Sequence, residues 1–269
     1  MHSKACWIRR YSERVETSFK REAPMPTTPL RLVTHEDPLR DAGSMKQRVG
    51  FAKLLVVALL YGLLFIAAPQ IAVSQVEQQQ RPTSTPYSGD LSIFEKPGRD
   101  ERLQIQRVMD LLGIKAGSSV ADIGAGSGWF SMRAAARVGP GGVVYAQDIN
   151  PDAVKYIEDR IHKERVNNVK TVLGSPDDPK LPSDSIDAVL LLKVYHEVAH
   201  PLVLMANLKP ALRSGAKVGI IDRNGNGIDH GLNSDVVKRE MAKAGFKLLS
   251  SYDFTKADGQ DYFLVFAVR

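Results

Sequence analysis

Residues 120–130 read VADIGAGSGWF, and no other stretch restricts the fold of this chain as tightly. Val120, Ala121 and Ile123 form an apolar run that stops at Gly124, Gly126 and Gly128, and a segment of helical pattern follows from about Ser127 to Val138. The order is strand, tight turn, helix. Three glycines in five residues permit positive φ and bring bare N–H groups close to a ligand, while the helix N-terminus beyond adds partial positive charge. The spacing is G-x-G-x-G. A dinucleotide turn would put its third glycine at position 129, which is Trp129. Asp122, inside the strand end, suits a cationic or amino-bearing ligand better than a pyrophosphate. A nucleotide-like cofactor is the occupant this turn predicts.

DIGAGSG resembles the first motif of class I S-adenosylmethionine (SAM)-dependent methyltransferases. The flanking chain extends the likeness. Val143–Ile149 reads as a buried strand carrying Asp148, 20 residues beyond Gly128, where an acid at the next strand tip can accept both hydroxyls of a ribose. The rival reading of Asp148 is a turn-stabilising residue ahead of Asn150-Pro151. The resemblance implies that Gly124 and Gly126 pass the methionyl part of SAM, that Asp122 fixes its amino group directly or through water, that Asp148 holds the ribose, and that Ala125, Gly128 and Ile149 also belong to the cofactor site. It also implies an acid near the adenine amino group just ahead of a Leu-Pro pair. Asp177 keeps that spacing to Leu181-Pro182, with Asp178 beside it, and Ser175 stands where another version of the motif has the acid. A solvated turn, favoured by Pro176 and Pro179, is the competing reading there.

Ser185–Lys193 (SIDAVLLLK) has the apolar continuity of a parallel strand covered on both faces, and Tyr195-His196-Glu197 follows at the edge where ligands bind in open α/β sheets. A strand ending in YHE before a proline-started helix, Pro201–Leu212, is similar to small-molecule methyltransferases of the ubiquinone-biosynthesis type. Tyr195, His196 and Glu197 are therefore the candidate catalytic residues, with a structural histidine under the cofactor as the alternative. His230 is a further candidate on a glycine-rich flap. That flap begins Asp222-Arg-Asn224-Gly-Asn226-Gly227, the first half of a calcium loop, but its twelfth position is Asn233 instead of a bidentate Glu, so no metal is expected.

The remaining pattern supplies the frame. Gly98–Leu112 predicts a helix capped by Gly113 and packed beside the first strand. Asn150 and Pro151 open another helix, Val169–Leu173 and Lys217–Asp222 read as strands, and Ser234 can cap a helix over 235–244. Phe246–Asp253 and Asp261–Val268 alternate around a Lys256–Gly259 turn as a terminal hairpin. The expected architecture is α/β, a Rossmann-like, doubly wound, mostly parallel seven-stranded sheet with an antiparallel C-terminal hairpin. The resemblance implies the seventh strand inserted antiparallel. It spans about 99–269, and the domain is drawn at 98–269.

Residues 1–53 carry 11 Lys/Arg against 6 Asp/Glu, leaving 25 against 24 for the rest. The near-neutral body counts against nucleic acid as a partner, because phosphate binding needs clustered positive charge. Cys6 is the single cysteine, so the body has neither a disulfide framework nor a thiol nucleophile. Residues 1–44 read as disordered, or as an extension ahead of a true start at Met45. Residues 45–74 read as a signal peptide: Lys46 and Arg48, the apolar run 54–68, then Ala72-Val-Ser74. The competing reading is a membrane anchor over 54–76, which has no charged residue and is long enough to cross ~30 Å of hydrocarbon. Residues 75–97 are assigned as linker. Either reading exports the body, although SAM is made in the cytosol and a cytosolic face stays open. The chain is read as an enzyme that moves a methyl group from SAM to a small-molecule or lipid-like acceptor. The alternative is a non-enzymatic, exported nucleotide- or ligand-binding module on the same fold.

Overall fold

The computed structural model describes residues 81–269. The N-terminal extension, the signal or anchor and the first part of the linker lie outside the described residues. Among the described residues no helix is long and apolar enough to cross a membrane.

Seven strands, β1 (Ser119–Ile123), β2 (Val143–Asp148), β3 (Val169–Leu173), β4 (Ile186–Leu192), β5 (Leu212–Asp222), β6 (Phe246–Tyr252) and β7 (Tyr262–Val268), form one sheet. Their order is β3-β2-β1-β4-β5-β7-β6. The first five are parallel to their neighbours, and β7 enters antiparallel between β5 and β6. Six helices accompany them: α1 (Arg99–Leu103), α2 (Ile105–Leu112), α3 (Trp129–Val138), α4 (Pro151–Glu164), α5 (Pro201–Leu208) and α6 (Ser234–Lys243). Every residue of β1 is buried, because β2 and β4 pair with it on both sides and helices cover both faces. Leu103 and Met109 of α1 and α2, Phe130 and Ala134 of α3 and Ile157 of α4 share one core with Val120. Leu204 and Met205 of α5 and Val237 and Met241 of α6 share the other with Ala121. Alternating residues of the central strand thus feed opposite layers, the signature of a doubly wound sheet.

Local chemistry sets the ends of these elements. Asn150 accepts the N–H of Asp152 and Pro151 occupies the first turn of α4. At α6 the capping side chain is Asn233, which accepts the N–H of Asp235, one residue ahead of the expected Ser234. The helix expected over 98–112 is two pieces, broken at Gln104 with φ +52°. The second piece lies over β5, where Leu112 packs on Gly219 and Lys217 Nζ donates to the carbonyl of Leu111 at 2.9 Å. The helix after Pro201 stops at Leu208, where a short 3-10 turn, Lys209–Ala211, begins and Pro210 can supply no N–H. β5 consequently starts at Leu212, five residues earlier than its apolar run indicated.

Residues 81–97, assigned to the linker, are folded against the domain. The backbone N–H of Arg81 donates to Ala199, and Leu91–Glu95 forms a 3-10 turn whose Asp90 cap accepts the N–H of Ser92. Buried Leu91 and the ion pair from Glu95 to Arg160 account for the correction, since neither shows in a local composition rich in Pro, Ser and Thr.

Candidate functional site

β1 and β2 run parallel with Ile123 opposite Gln147, so the glycine turn and Asp148 leave the sheet side by side at its carboxyl edge. The N–H groups of Gly124 and Ala125 both donate to the carbonyl of Gln147, at 2.8 and 2.9 Å. Asp148 Oδ2 accepts the N–H of Gly126 at 2.9 Å and Oδ1 accepts that of Asn150 at 2.9 Å. Each oxygen keeps a second acceptor direction for a ligand hydroxyl.

A cavity of about 380 Å³ opens over this edge, within the range of small-molecule sites. Asp122, Gly124, Ala125, Gly126, Asp148 and Ile149 all lie in its wall. Gly124 has φ +69°, and a Cβ there would stand 2.5 Å from Val194 Cγ2. Asp122 is buried and accepts Ser131 Oγ–H at 2.6 Å. Burial pushes its carboxyl up to about 7; the nearby Asp148 charge adds to the rise, while Ser131 and Arg99 oppose it. Gly128 is placed differently from expectation. It has φ +72°, stands outside the cavity wall, and its missing Cβ makes room for Ile157 of α4, so its role is in helix packing.

The roof comes from the segment read as linker. Phe94 lies over Gly126, and its ring meets Tyr87 edge to face at 5.5 Å. Glu95 accepts from Ser127 Oγ at 2.6 Å and from Arg160 Nη1 at 2.5 Å. Arg99 fastens the other side: it stacks 4.4 Å over Trp129, donates to the Phe94 carbonyl at 3.1 Å and pairs with Asp258 at 3.3 Å.

At the end of β4, Tyr195–Glu197 forms a 3-10 turn, whose successive side chains point about 120° apart. His196 and Glu197 reach the cavity; Tyr195 does not. The Tyr195 ring is fully buried in the core beneath α5 and α6, which removes it from the catalytic set. His196 Nδ1 donates to Asp222 Oδ2 at 2.7 Å, and the His196 backbone N–H reaches the same oxygen at 3.2 Å. Glu197 Oε1 lies 3.7 Å from His196 Nε2. Burial pushes the Glu197 carboxyl up to about 7; His196 opposes the rise, and the Asp222 and Asp148 charges reinforce it.

The flap 223–233 brings His230 to the cavity, its ring 5.9 Å from that of His196. The residues of the half calcium pattern diverge. Asp222 serves His196, Asn224 Oδ1 accepts the N–H of Ser234, and Asn226 Oδ1 accepts that of Ile228. The two acids proposed near the adenine are also elsewhere. Asp177 turns to His200, whose Nδ1 lies 3.0 Å from Oδ1, and Asp178 accepts the N–H of Lys180. Ser175 and Pro176 line the cavity in their place. The Ser175–Asp178 bridge pins this loop as a tight turn and carries both carboxylates outward.

Asp222, Lys193 and the 86–94 segment were missed as contributors to the site. Asp222 had a signal, its place at a strand end, but it was absorbed by the calcium pattern. Lys193 lines the cavity, and burial lowers its pKa, with Arg99 adding to the effect.

Residues 121–220 match the family described as "Methyltransferase domain". Over 84 residues the chain is 34% identical to a nocamycin O-methyltransferase of Saccharothrix syringae, covering 31% of this chain and 30% of that protein. Over 122 residues it is 27% identical to a ubiquinone/menaquinone biosynthesis C-methyltransferase of Ectopseudomonas mendocina, covering 45% of this chain and 48% of the relative. The chain thus spans half or less of these curated relatives. A SAM-dependent methyltransferase from Aquifex aeolicus superposes with a TM-score of 0.61 at 22% identity, over 68% of this chain and all of the other, and shares its fold. The strand order and the glycine turn with its neighbouring acid are those of the class I SAM-dependent methyltransferase fold, and residues 121–220 are similar to the methyltransferase-domain family.

Proposed function

We propose that the chain transfers a methyl group from SAM to a small-molecule or lipid-like acceptor. The observation that carries this reading is the bond between Asp148 and the Gly126 N–H, which joins the two strand tips into one cradle. The residues fit the cofactor. Asp122 is a buried acid in the wall with a hydroxyl partner and a strained charge, as suits an ammonium group; Asp148 has acceptor capacity for two ribose hydroxyls; Ile149 offers an apolar face for a base. Ser175 and Pro176 line the same cavity and would be available to the base.

SAM, when bound, supplies an electrophilic methyl group on a sulfonium that is already a good leaving group. The protein's task is then alignment and exclusion of water. Phe94, Tyr87 and Leu91 close the cavity above the glycine turn, and Val194, which packs on Gly124, and Val198 add apolar wall. His196, held by Asp222, and Glu197 face the acceptor. With a carboxyl near 7, Glu197 is suited to take a proton from the acceptor around neutral pH. The apolar mouth, with Tyr87, Ile93 and Ile149 partly exposed, supports an acceptor of lipid-like character, and the charge balance of the body supports a partner other than nucleic acid. The apolar run 54–68 supports export or anchoring of the body. Calorimetric titration of the full chain with SAM and with NAD tests the reading: saturable binding of SAM alone is expected, and binding of NAD alone would refute it. Protease access to the body in spheroplasts tests its location.

A further inference from the structure

We propose that His196, Glu197 and His230 form a zinc site at the acceptor end of the cavity, and that the acceptor binds it through an ionisable hydroxyl. The proposal rests on the methyl-transfer reading for the role of the site, although the metal can be tested apart from it. One ligand atom from each residue lies within 4.8 Å of the other two. Tetrahedral zinc with bonds of ~2.0–2.2 Å needs its donors about 3.3–3.6 Å apart. The Nε2 of His196 and Oε1 of Glu197, 3.7 Å apart, are almost there. His230 must approach by about 1 Å, a movement its exposed side chain can make by rotation about its own torsions.

The second observation lies behind the first shell of donors. Asp222 is wholly buried, holds Nδ1 of His196 at 2.7 Å, and accepts the Arg223 N–H with its other oxygen. That bond fixes the tautomer in which Nε2, the nitrogen toward Glu197, carries a free lone pair. A carboxylate behind a histidine in this way is the usual support of a metal-bound imidazole. Two imidazoles and a carboxylate favour zinc over magnesium or calcium, and three protein donors leave a fourth position open. The cavity adjoins all three residues, so the open position belongs to the acceptor. A hydroxyl entering it displaces water, its O–H bond breaks with the proton released to solvent, and the oxygen is held as an anion, as zinc does with water near neutral pH. Glu197 is then a ligand instead of the proton acceptor.

The experiment uses untagged full-length protein in detergent, stripped with chelator and titrated with zinc and, separately, with SAM. One zinc per chain is expected. His230→Ala, on an exposed flap, and Glu197→Gln should each weaken zinc at least tenfold while SAM affinity holds; Asp222→Asn should weaken it by about 10–100-fold. His162→Ala, an exposed helix position, should leave zinc binding unchanged. A chromogenic catechol should change its absorption only with the zinc-loaded protein. Zinc bound equally well by His230→Ala, or not bound at all, overturns the site; zinc without a catechol response overturns the acceptor class. SAM binding without zinc would sink this inference and spare the methyl-transfer reading, whereas zinc without SAM would do the reverse.

Discussion

Gly126 donates its backbone N–H to Asp148 Oδ2 at 2.9 Å, so the acid that ends β2 also shapes the turn that ends β1. Ligand contact and loop geometry therefore depend on one carboxylate. Asp148→Ala removes the acceptor of two backbone N–H groups, those of Gly126 and Asn150, and a buried donor left unpaired costs about 1–3 kcal/mol. The substitution is expected to lower stability by that amount while the domain stays folded, and to reduce SAM affinity at least 100-fold. Chemical denaturation and calorimetry on the same preparation check both; unchanged affinity would remove Asp148 from the site.

Asp122 makes stability and binding respond to pH in opposite directions. Its folded value, about 7, lies above the ordinary 3.8, so the folded protein keeps a proton that the unfolded chain has released. Stability consequently falls as pH rises from about 4 to about 7, by an amount on the order of a few kcal/mol. An ammonium group beside the carboxylate favours the ionised form, so SAM affinity should climb from pH 6 to about 7.5 and then level off. Asp122→Asn, which can still accept from Ser131, should be more stable than the natural protein at pH 8, bind SAM weakly, and show no climb. Denaturant melts and SAM titrations across that pH range provide the measurement.

The frame of this molecule could be read from its sequence because it is written in local signals. The glycine turn, the N-capped helix after β2 and the terminal hairpin each announce themselves in one contiguous stretch, and their order leaves few topologies open. Asp122 and Asp148 could be placed beside the cavity for the same reason, as acids at strand ends. Long-range contacts were not readable. Whether Asp177 faces the cavity or His200 depends on a residue 23 positions away, and Glu95 gains its meaning from Arg160, 65 positions away. Tyr195 shows the same limit at close quarters: motif proximity cannot tell which of three consecutive side chains a 3-10 turn sends into the core.

Gly124 and Val194 form a contact that permits no side chain at position 124. A Cβ would stand 2.5 Å from Val194 Cγ2, and φ +69° is itself strained for an L-residue by about 1–3 kcal/mol. Gly124→Ala should therefore cost more than about 2 kcal/mol and impair SAM binding. Adding Val194→Ala relieves the clash but leaves the backbone strain, so the double variant should recover part of the lost stability relative to Gly124→Ala. A double-mutant cycle in denaturant measures this coupling, and additive losses would refute it.

The roof segment should govern how long the cofactor stays. Phe94 covers the glycine turn, and Glu95 ties the segment to Ser127 and Arg160 in a partly buried cluster. Phe94→Ala and Glu95→Ala leave the sheet untouched, so melting temperatures should change little while SAM dissociates about tenfold faster or more. Stopped-flow displacement of bound SAM reads the rate directly. Equal dissociation rates for both variants and the natural protein would show that the roof is packing alone.

Tyr195 and His196, adjacent in sequence, are expected to give opposite results. The Tyr195 ring is buried away from the cavity, with Arg81 stacked 5.2 Å over it, so removing the hydroxyl leaves the site's geometry in place. Tyr195→Phe should keep methyl-transfer rates within about twofold of the natural protein once an acceptor is in hand. His196→Ala deletes the side chain that Asp222 supports and takes one of three donors from a buried carboxylate, a loss of about 1–3 kcal/mol. Its activity should fall by at least 100-fold, and Asp222→Asn, which keeps an acceptor for the ring, should fall between the two. Single-turnover rates for the three variants, with denaturant melts to correct for unfolding, decide the matter: a large loss in Tyr195→Phe would return the phenol to the chemistry and contradict its burial.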